Sequence, residues 1–198
     1  DAIRLRPTHA NLMYPGIGVG GYCLTKDPLL ASWASMNYFG YDQGLQFSTL
    51  AVEQNDKMPN YAFDYTMNII KNNPKIEKIG LLGVAYGPGI GDTRFSPVEQ
   101  FFKSFNQNYE IRCHDPYVSF WDEMNINIER NLDKFLSEKH DVLIITTGHA
   151  DYIQNDGFLS FLDKQLIKPL IIDTVGLFAR STYFKSYPEG KYSVLGNG

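Results

Sequence analysis

A chain of 198 residues can hold one sizeable domain or two small ones, and 43% apolar with 20% charged residues is an ordinary globular composition. A formal net charge of −4 and the lack of any basic run argue against nucleic acid, or an anionic membrane surface, as the main partner. The cysteines are Cys23 and Cys113; with no signal-peptide pattern and no apolar run long enough to span a bilayer, they suggest reduced thiols and a cytoplasmic location.

Residues 1–15, with Arg4, Arg6, Pro7 and Pro15, show no clear entry into a domain and read as the continuation of something upstream. The stretch from Tyr14 to Pro28 is different. Gly16, Gly18, Gly20 and Gly21 crowd together just before Cys23, so the backbone there can adopt positive φ and approach a ligand closely. Asp27-Pro28 reads as the N-cap and first position of a helix, which would leave Cys23 beside a helix N-terminus, where the dipole favours a nucleophilic sulfur. Gly16-x-Gly18-x-x-Gly21 also satisfies the dinucleotide fingerprint by spacing. That fingerprint requires a preceding strand and a helix opening at it, and the sequence signals neither.

From Asp27 to about Lys71 the pattern is helical. One helix ends at Gly40, and two further segments, 42–55 and 59–71, follow, with Pro59 either starting a helix or kinking a long one. Asn60, Asp64, Asn68 and Lys71 make one narrow polar stripe on an otherwise apolar helix, which therefore needs cover on most sides, from a partner subunit or from the domain that follows. Asn72-Asn73-Pro74-Lys75 breaks the helix and divides the chain into segments 1–74 and 75–198.

Beyond the break, apolar runs alternate with amphipathic stretches, the pattern of a parallel α/β sheet. Strands are expected at 78–85, 109–113, 141–147 and 169–174, with 192–195 as an edge. Helices are expected from the Ser96-Pro97-Val98-Glu99 capping box to about Asn106, within 117–140 and within 151–166. Ligands of such sheets lie at the carboxyl ends of strands, which here are 86–94, 115–116, 146–151 and 173–178. Each has a local role as well: Asp115-Pro116 is a turn signal, Asp92 and Arg94 can pair, and His149 can cap a helix. Cys113 reads as a small buried hydrophobe. Cys113 and His114, adjacent in a strand, point to opposite faces, so no metal site is expected.

Cys23 with Asp27, Gly83-Val84-Ala85-Tyr86 with Pro88, Asp92-Thr93-Arg94-x-Ser96-Pro97, Asp115-Pro116-Tyr117, Thr147-Gly148-His149-Ala150-Asp151-Tyr152 and Ile172-Asp173-Thr174-x-Gly176-Leu177-Phe178 stand in one order across nearly the whole chain. They resemble the UDP-glucose/GDP-mannose dehydrogenase family. The resemblance implies an α/β fold, a helical segment followed by a Rossmann-like parallel-sheet domain: a cysteine loop and dimerisation helices over 1–74, and a domain that holds the UDP part of a nucleotide sugar over 75–198.

By the same resemblance, the whole enzyme oxidises the C6 alcohol of a UDP- or GDP-linked sugar to a carboxylate with NAD, serving polysaccharide biosynthesis. Cys23 would be the nucleophile, forming a thiohemiacetal and then a thioester, and Asp27 would orient or deprotonate the hydrolytic water. Gly16, Gly18, Gly20 and Gly21 would wrap the sugar and diphosphate, and Asn11, Tyr14, Tyr86 and Arg94 would line the same cleft. NAD would be held mainly by a further domain, without which this part turns nothing over. A homodimer is implied. Three departures stand out: Gly87 replaces a lysine, Val175 an arginine, and His9 an upstream arginine that the family uses on its substrate. They leave a second reading open, a non-catalytic nucleotide-binding and dimerisation module.

Overall fold

The computed structural model describes residues 5–9, 16–73, 75–105, 109–154 and 156–196, with nothing stated of the side chains of His9 and Asp156. Two long helices come first: α1 (Tyr22–Tyr38) and α2 (Gln46–Lys71). The second half is built on a five-stranded parallel sheet of β1 (Lys78–Leu82), β2 (Glu110–His114), β5 (Val142–Ile145), β6 (Leu170–Asp173) and β7 (Tyr192–Val194), in the order β2-β1-β5-β6-β7. The register pairs Leu81 with Cys113 on one side and with Ile144 on the other, and Ile172 with Ser193 at the far edge. The strand order reverses between β1 and β5, which makes their carboxyl ends the switch point of the sheet.

Alternation along the strands separates two cores. Ile79, Leu81, Ile144 and Ile172 face α2 and α3 (Pro97–Lys103), meeting Ala62, Ile70, Val98 and Phe101. Leu82, Leu143, Ile145 and Ile171 face the other way, onto Phe135 and Leu136 of α4 (Leu132–Ser137), Tyr152 of α5 (Asp151–Gln154) and Phe158 and Leu162 of α6 (Asp156–Lys164). Each fully buried Leu or Ile contributes roughly 1.5–3 kcal/mol, so the sheet is the main source of stability here. At Gly80 the packing admits no side chain. A Cβ there would lie 2.7 Å from Leu143 Cδ2 and 2.9 Å from Phe135 Cζ.

Several sequence expectations change. The helix expected to open at Asp27 opens at Tyr22, so Pro28 lies inside α1 and Asp27 is not an N-cap. The two segments expected at 42–55 and 59–71 merge into one continuous helix that starts at Gln46, with Pro59 buried within it. Residues 117–140 are not mainly helical: an antiparallel hairpin of β3 (Phe120–Trp121) and β4 (Ile126–Asn127) precedes the short α4. Ser96 does cap α3, its Oγ accepting from the Val98 amide at 3.3 Å, but the box stays half closed because Glu99 pairs with Lys103 instead of reaching back.

The apolar half of α2 finds its cover within the chain. Phe63 packs edge-on against Phe101 and Phe105, and the Tyr65 hydroxyl donates to the Val194 carbonyl at 3.0 Å. What stays bare is mostly elsewhere: Leu29, Leu30 and Trp33 on α1 and Phe47 and Leu50 at the front of α2 are exposed, with Tyr61 further along α2.

Candidate active site

The glycine loop is a piece of extended chain laid over the carboxyl ends of the strands. A Cβ on Gly16 would stand 3.3 Å from Val175, just after β6. One on Gly20 would stand 2.6 Å from the Phe95 carbonyl and 2.8 Å from both Pro97 and Tyr86, in the loop after β1; no side chain fits there. Gly21, at φ 83 and ψ 167, occupies a region open to glycine alone, lies against the Tyr86 ring and donates its N–H to the Phe95 carbonyl at 3.3 Å. Phe95 itself is held at φ 54, an unusual conformation for a bulky residue, and Tyr22 packs edge-on against it. The glycines thus let the loop lie close against Tyr86, Phe95, Pro97 and Val175.

A second grip comes from α2. The Val19 N–H donates to Asn55 Oδ1 at 2.7 Å and the Val19 carbonyl accepts from Asn55 Nδ2 at 2.8 Å, so one side chain plays the part of a neighbouring strand. Pro59 brings no N–H to the Asn55 carbonyl one turn earlier, and that oxygen instead lies 3.6 Å from the position of a Gly18 Cβ. Asn55 belongs to a region that the sequence reading treated only as helix. No one-dimensional signal marks an asparagine that holds a distant backbone.

Helix α1 leaves the loop directly, placing Cys23 in its first turn and Asp27 one turn on, where residues four apart share a face. Both are exposed, and Cys23 is a free thiol. The Asp27 carboxylate lies 2.7 Å from Lys26 Nζ, which also sits over the Tyr22 ring; hydrogen bonding to Asp27 is the main cause that raises the Lys26 pKa. The Thr25 hydroxyl donates to the Gly21 carbonyl at 2.8 Å, tying the first turn to the loop.

At the switch point, Asp115 organises the loops. Its Oδ2 accepts from the amides of Val84 and Ala85 at 2.8 and 3.1 Å, and its Oδ1 from those of Tyr117 and Val118. Burial alone would raise the pKa of this carboxyl, but the hydrogen bonds from His149 and these amides outweigh it and the net shift is downward. The Gly89 N–H donates to His149 Nδ1 at 3.0 Å, which leaves Nε2 to donate to Asp115 at 3.1 Å. Thr146 and Thr147 hydroxyls donate to the carbonyls of Gly83 and Ala85, and the buried Asp173 accepts from the amides of Val175, Leu177 and Phe178. These residues shape the backbone around the crevice.

Of the residues singled out from sequence, Gly16, Gly18, Gly20, Gly21 and Tyr86 come together, with Cys23 and Asp27 on the helix that emerges from them. Tyr86 is half-buried, its ring engaged by Gly21. Arg94 is exposed and occupied by Asp92, which takes its Nε at 2.9 Å and a terminal nitrogen at 2.6 Å. Asn11 and Tyr14 lie outside the described residues. Cys113 is buried, as read, and burial pushes its thiol up to about 12.

The description "UDP-glucose/GDP-mannose dehydrogenase family, UDP binding domain" belongs to a family model that matches residues 80–180. The UDP-N-acetyl-D-mannosamine dehydrogenase of Methanocaldococcus jannaschii is 31% identical over 204 aligned residues, covering 100% of this chain and 44% of that protein. The enzyme of the same name from Pyrococcus horikoshii is 33% identical over 158, covering 77% and 34%. A solved structure of the UDP-D-ManNAc dehydrogenase from Pyrococcus horikoshii superposes with a TM-score of 0.70 at 29% identity, over 100% of this chain and 44% of that one. The chain therefore spans less than half the length of these relatives.

Proposed function

Since the chain belongs to the UDP-glucose/GDP-mannose dehydrogenase family, residues 80–180 matching its UDP-binding domain, we propose that it is the cysteine-bearing, nucleotide-sugar-binding part of a nucleotide-sugar 6-dehydrogenase. A UDP-linked sugar is the favoured substrate, given the UDP-linked substrates named for its relatives. The observation that carries this reading is the seating of the cysteine loop: Gly16 lies on Val175 and Gly20 on Tyr86, so the loop that presents Cys23 crosses the strand ends where a nucleotide would bind.

Two oxidations at one carbon require that the aldehyde be retained. The Cys23 sulfur adds to the aldehyde carbon, forming a C–S bond while the oxygen takes a proton, and the tetrahedral adduct again carries a hydrogen that can leave as hydride. At the thioester stage Asp27, on the same face of α1, orients water and accepts its proton; water adds to the carbonyl carbon and the sulfur departs with the bonding pair, leaving a carboxylate. NAD would supply the hydride acceptor. Residues 16–21 do not fit it, because the faces of Gly18 and Gly20 are filled by Pro97, Phe95 and Tyr86 and residues 16–20 form no strand of the sheet. In this reading NAD is held outside this chain's glycine loop.

The bare apolar residues of α1 and α2 support a homodimer formed through these helices. Among the described residues, no helix is long and apolar enough to cross a membrane. The reading is tested in the intact enzyme with NAD and UDP-linked N-acetylhexosamines: Cys23→Ala should abolish acid formation while leaving UDP binding within about twofold, and a variant that forms acid at the unaltered rate refutes it.

A further inference from the structure

The other end of the sheet holds a cavity of about 890 Å³, against about 360 Å³ for the one between Val19, Asn55 and Pro97. Its walls are the segments that lead into four of the parallel strands: Ile76 before β1, Asp141 before β5, Pro169 before β6 and Lys191 before β7. It therefore lies at the amino-terminal edge, on the far side of the domain from Cys23.

Five lysines line it, Lys75, Lys139, Lys164, Lys168 and Lys191, drawn from four stretches of sequence far apart, which is why no basic run announces them. Among the described residues, Lys26, Lys78, Lys103 and Lys134 each sit on a carboxylate, while Lys57, Lys71, Lys185 and the five lining lysines do not. Lys168 closes the end of α6 by donating to the carbonyls of Leu162 and Asp163, the usual duty of a cation at a helix C-terminus. No such contact is made by the other four among the described residues. The single carboxylate in the lining, Asp141, has one oxygen committed to the amides of Glu77 and Lys78 at 2.9 and 2.8 Å. His140 is pushed down by burial and adds no charge at neutral pH. In a chain of net charge −4, this gathers cations around an open cavity. Apolar surface adjoins them, with Leu166 and Ile167 almost wholly exposed and Phe161 half-buried.

We propose that this cavity is a second anion site, remote from the cysteine loop, for a ligand that carries phosphate next to an apolar group. Lys75, Lys139, Lys164 and Lys191 meet the phosphate, and Leu166 with Ile167 cover the apolar part. A free nucleotide and an anionic lipid headgroup share that chemistry, and the two are separated by experiment.

The unaltered chain is titrated with inorganic tripolyphosphate, and separately with vesicles of phosphatidylcholine alone or mixed equally with phosphatidylglycerol, while ¹³C-methylated lysines are followed by NMR. The expected result is saturable, salt-sensitive shifts at Lys139, Lys164 and Lys191, with roughly tenfold weaker binding in the Lys139→Gln/Lys164→Gln/Lys191→Gln variant. Lys164→Gln alone, weakening binding by about threefold, serves if circular dichroism shows the triple variant unfolded. Binding to tripolyphosphate with none to anionic vesicles supports a free ligand. Binding only to anionic vesicles, lost in the lysine variants and in Leu166→Ser/Ile167→Ser, supports a headgroup. Shifts confined to other lysines, equal affinity in the lysine variants, or no binding to either probe overturns the proposal.

Discussion

Asn55 holds Val19 by both of its backbone groups, at 2.7 and 2.8 Å, so a helix side chain fixes the glycine loop from the side opposite the sheet. Asn55→Ala should cost about 1–2 kcal/mol, since two hydrogen bonds to a backbone are lost. Hydrogen exchange of residues 17–21 should accelerate while that of β1 and β5 stays unchanged. Unchanged exchange in the loop would show that the sheet-side packing holds it unaided.

Gly20→Ala should be far more harmful than Gly89→Ala. The first drives a methyl to within 2.6 Å of the Phe95 carbonyl and 2.8 Å of Pro97, whereas the second meets nothing within 4 Å and bears only the strain of φ +71. The expected costs are 2 kcal/mol or more and about 1 kcal/mol respectively, read from urea midpoints. Equal midpoints would mean that the loop can lift away from Tyr86 without loss.

The two thiols should separate cleanly under alkylation. Cys23 is exposed, and Cys113 is buried with its thiol raised to about 12, so native protein should take up one equivalent of iodoacetamide and a second only on unfolding. Mass spectrometry of the peptides identifies the site; early modification of Cys113 would contradict the packing of β2.

Acid should weaken the fold before its carboxylates titrate. Desolvation holds His114 at about 4, with Nδ1 on the Tyr152 hydroxyl and Nε2 on the Arg130 carbonyl, against about 6.5 for an unfolded histidine. Between those values the unfolded chain binds a proton that the folded one does not. Stability therefore falls as pH drops from about 6.5 towards 4, by up to roughly 3 kcal/mol from this residue. His140, also lowered by burial, acts in the same direction. Urea unfolding from pH 7.5 to 4.5 should show this slope, and His114→Gln should flatten it; an equal slope in the variant would exonerate His114.

Gly87 is where the family resemblance places a lysine, and the backbone there would admit one. Its φ is not positive, and a Cβ would make an ordinary 3.4 Å contact with Ile90. Gly87→Lys should tighten UDP binding by several-fold, with the gain lost at high salt. Calorimetry showing no gain would place the diphosphate away from this loop.

The centre of the sheet was legible because its strands are short apolar runs buried on both faces, as at Val142–Ile145 and Leu170–Asp173; the edge strand Tyr192–Val194, half-buried and broken by Ser193, is a weaker signal. Helix starts were less legible. Asp27-Pro28 has the chemistry of an N-terminus, yet the docking of Gly20 and Gly21 on Tyr86 and Phe95 puts the N-cap at Gly21 and the first helical residue at Tyr22, a tertiary effect that overrides a local signal. The hairpin at 120–127 was hidden because Trp121 and Ile126 pair across only two rungs. Of the candidate site, residue types could be read but not grips: Asn55 on Val19 and His149 on Gly89 join points far apart along the chain.

Because Gly20 rests on Tyr86, Phe95 and Pro97 and Gly16 on Val175, all of them far downstream of the cysteine, the sulfur cannot acquire its final setting until much of the sheet domain has been synthesised. A nascent chain stalled before Pro97 should present Cys23 to oxidants in an unstructured loop, and cellular thiol chemistry has its widest opening in that interval.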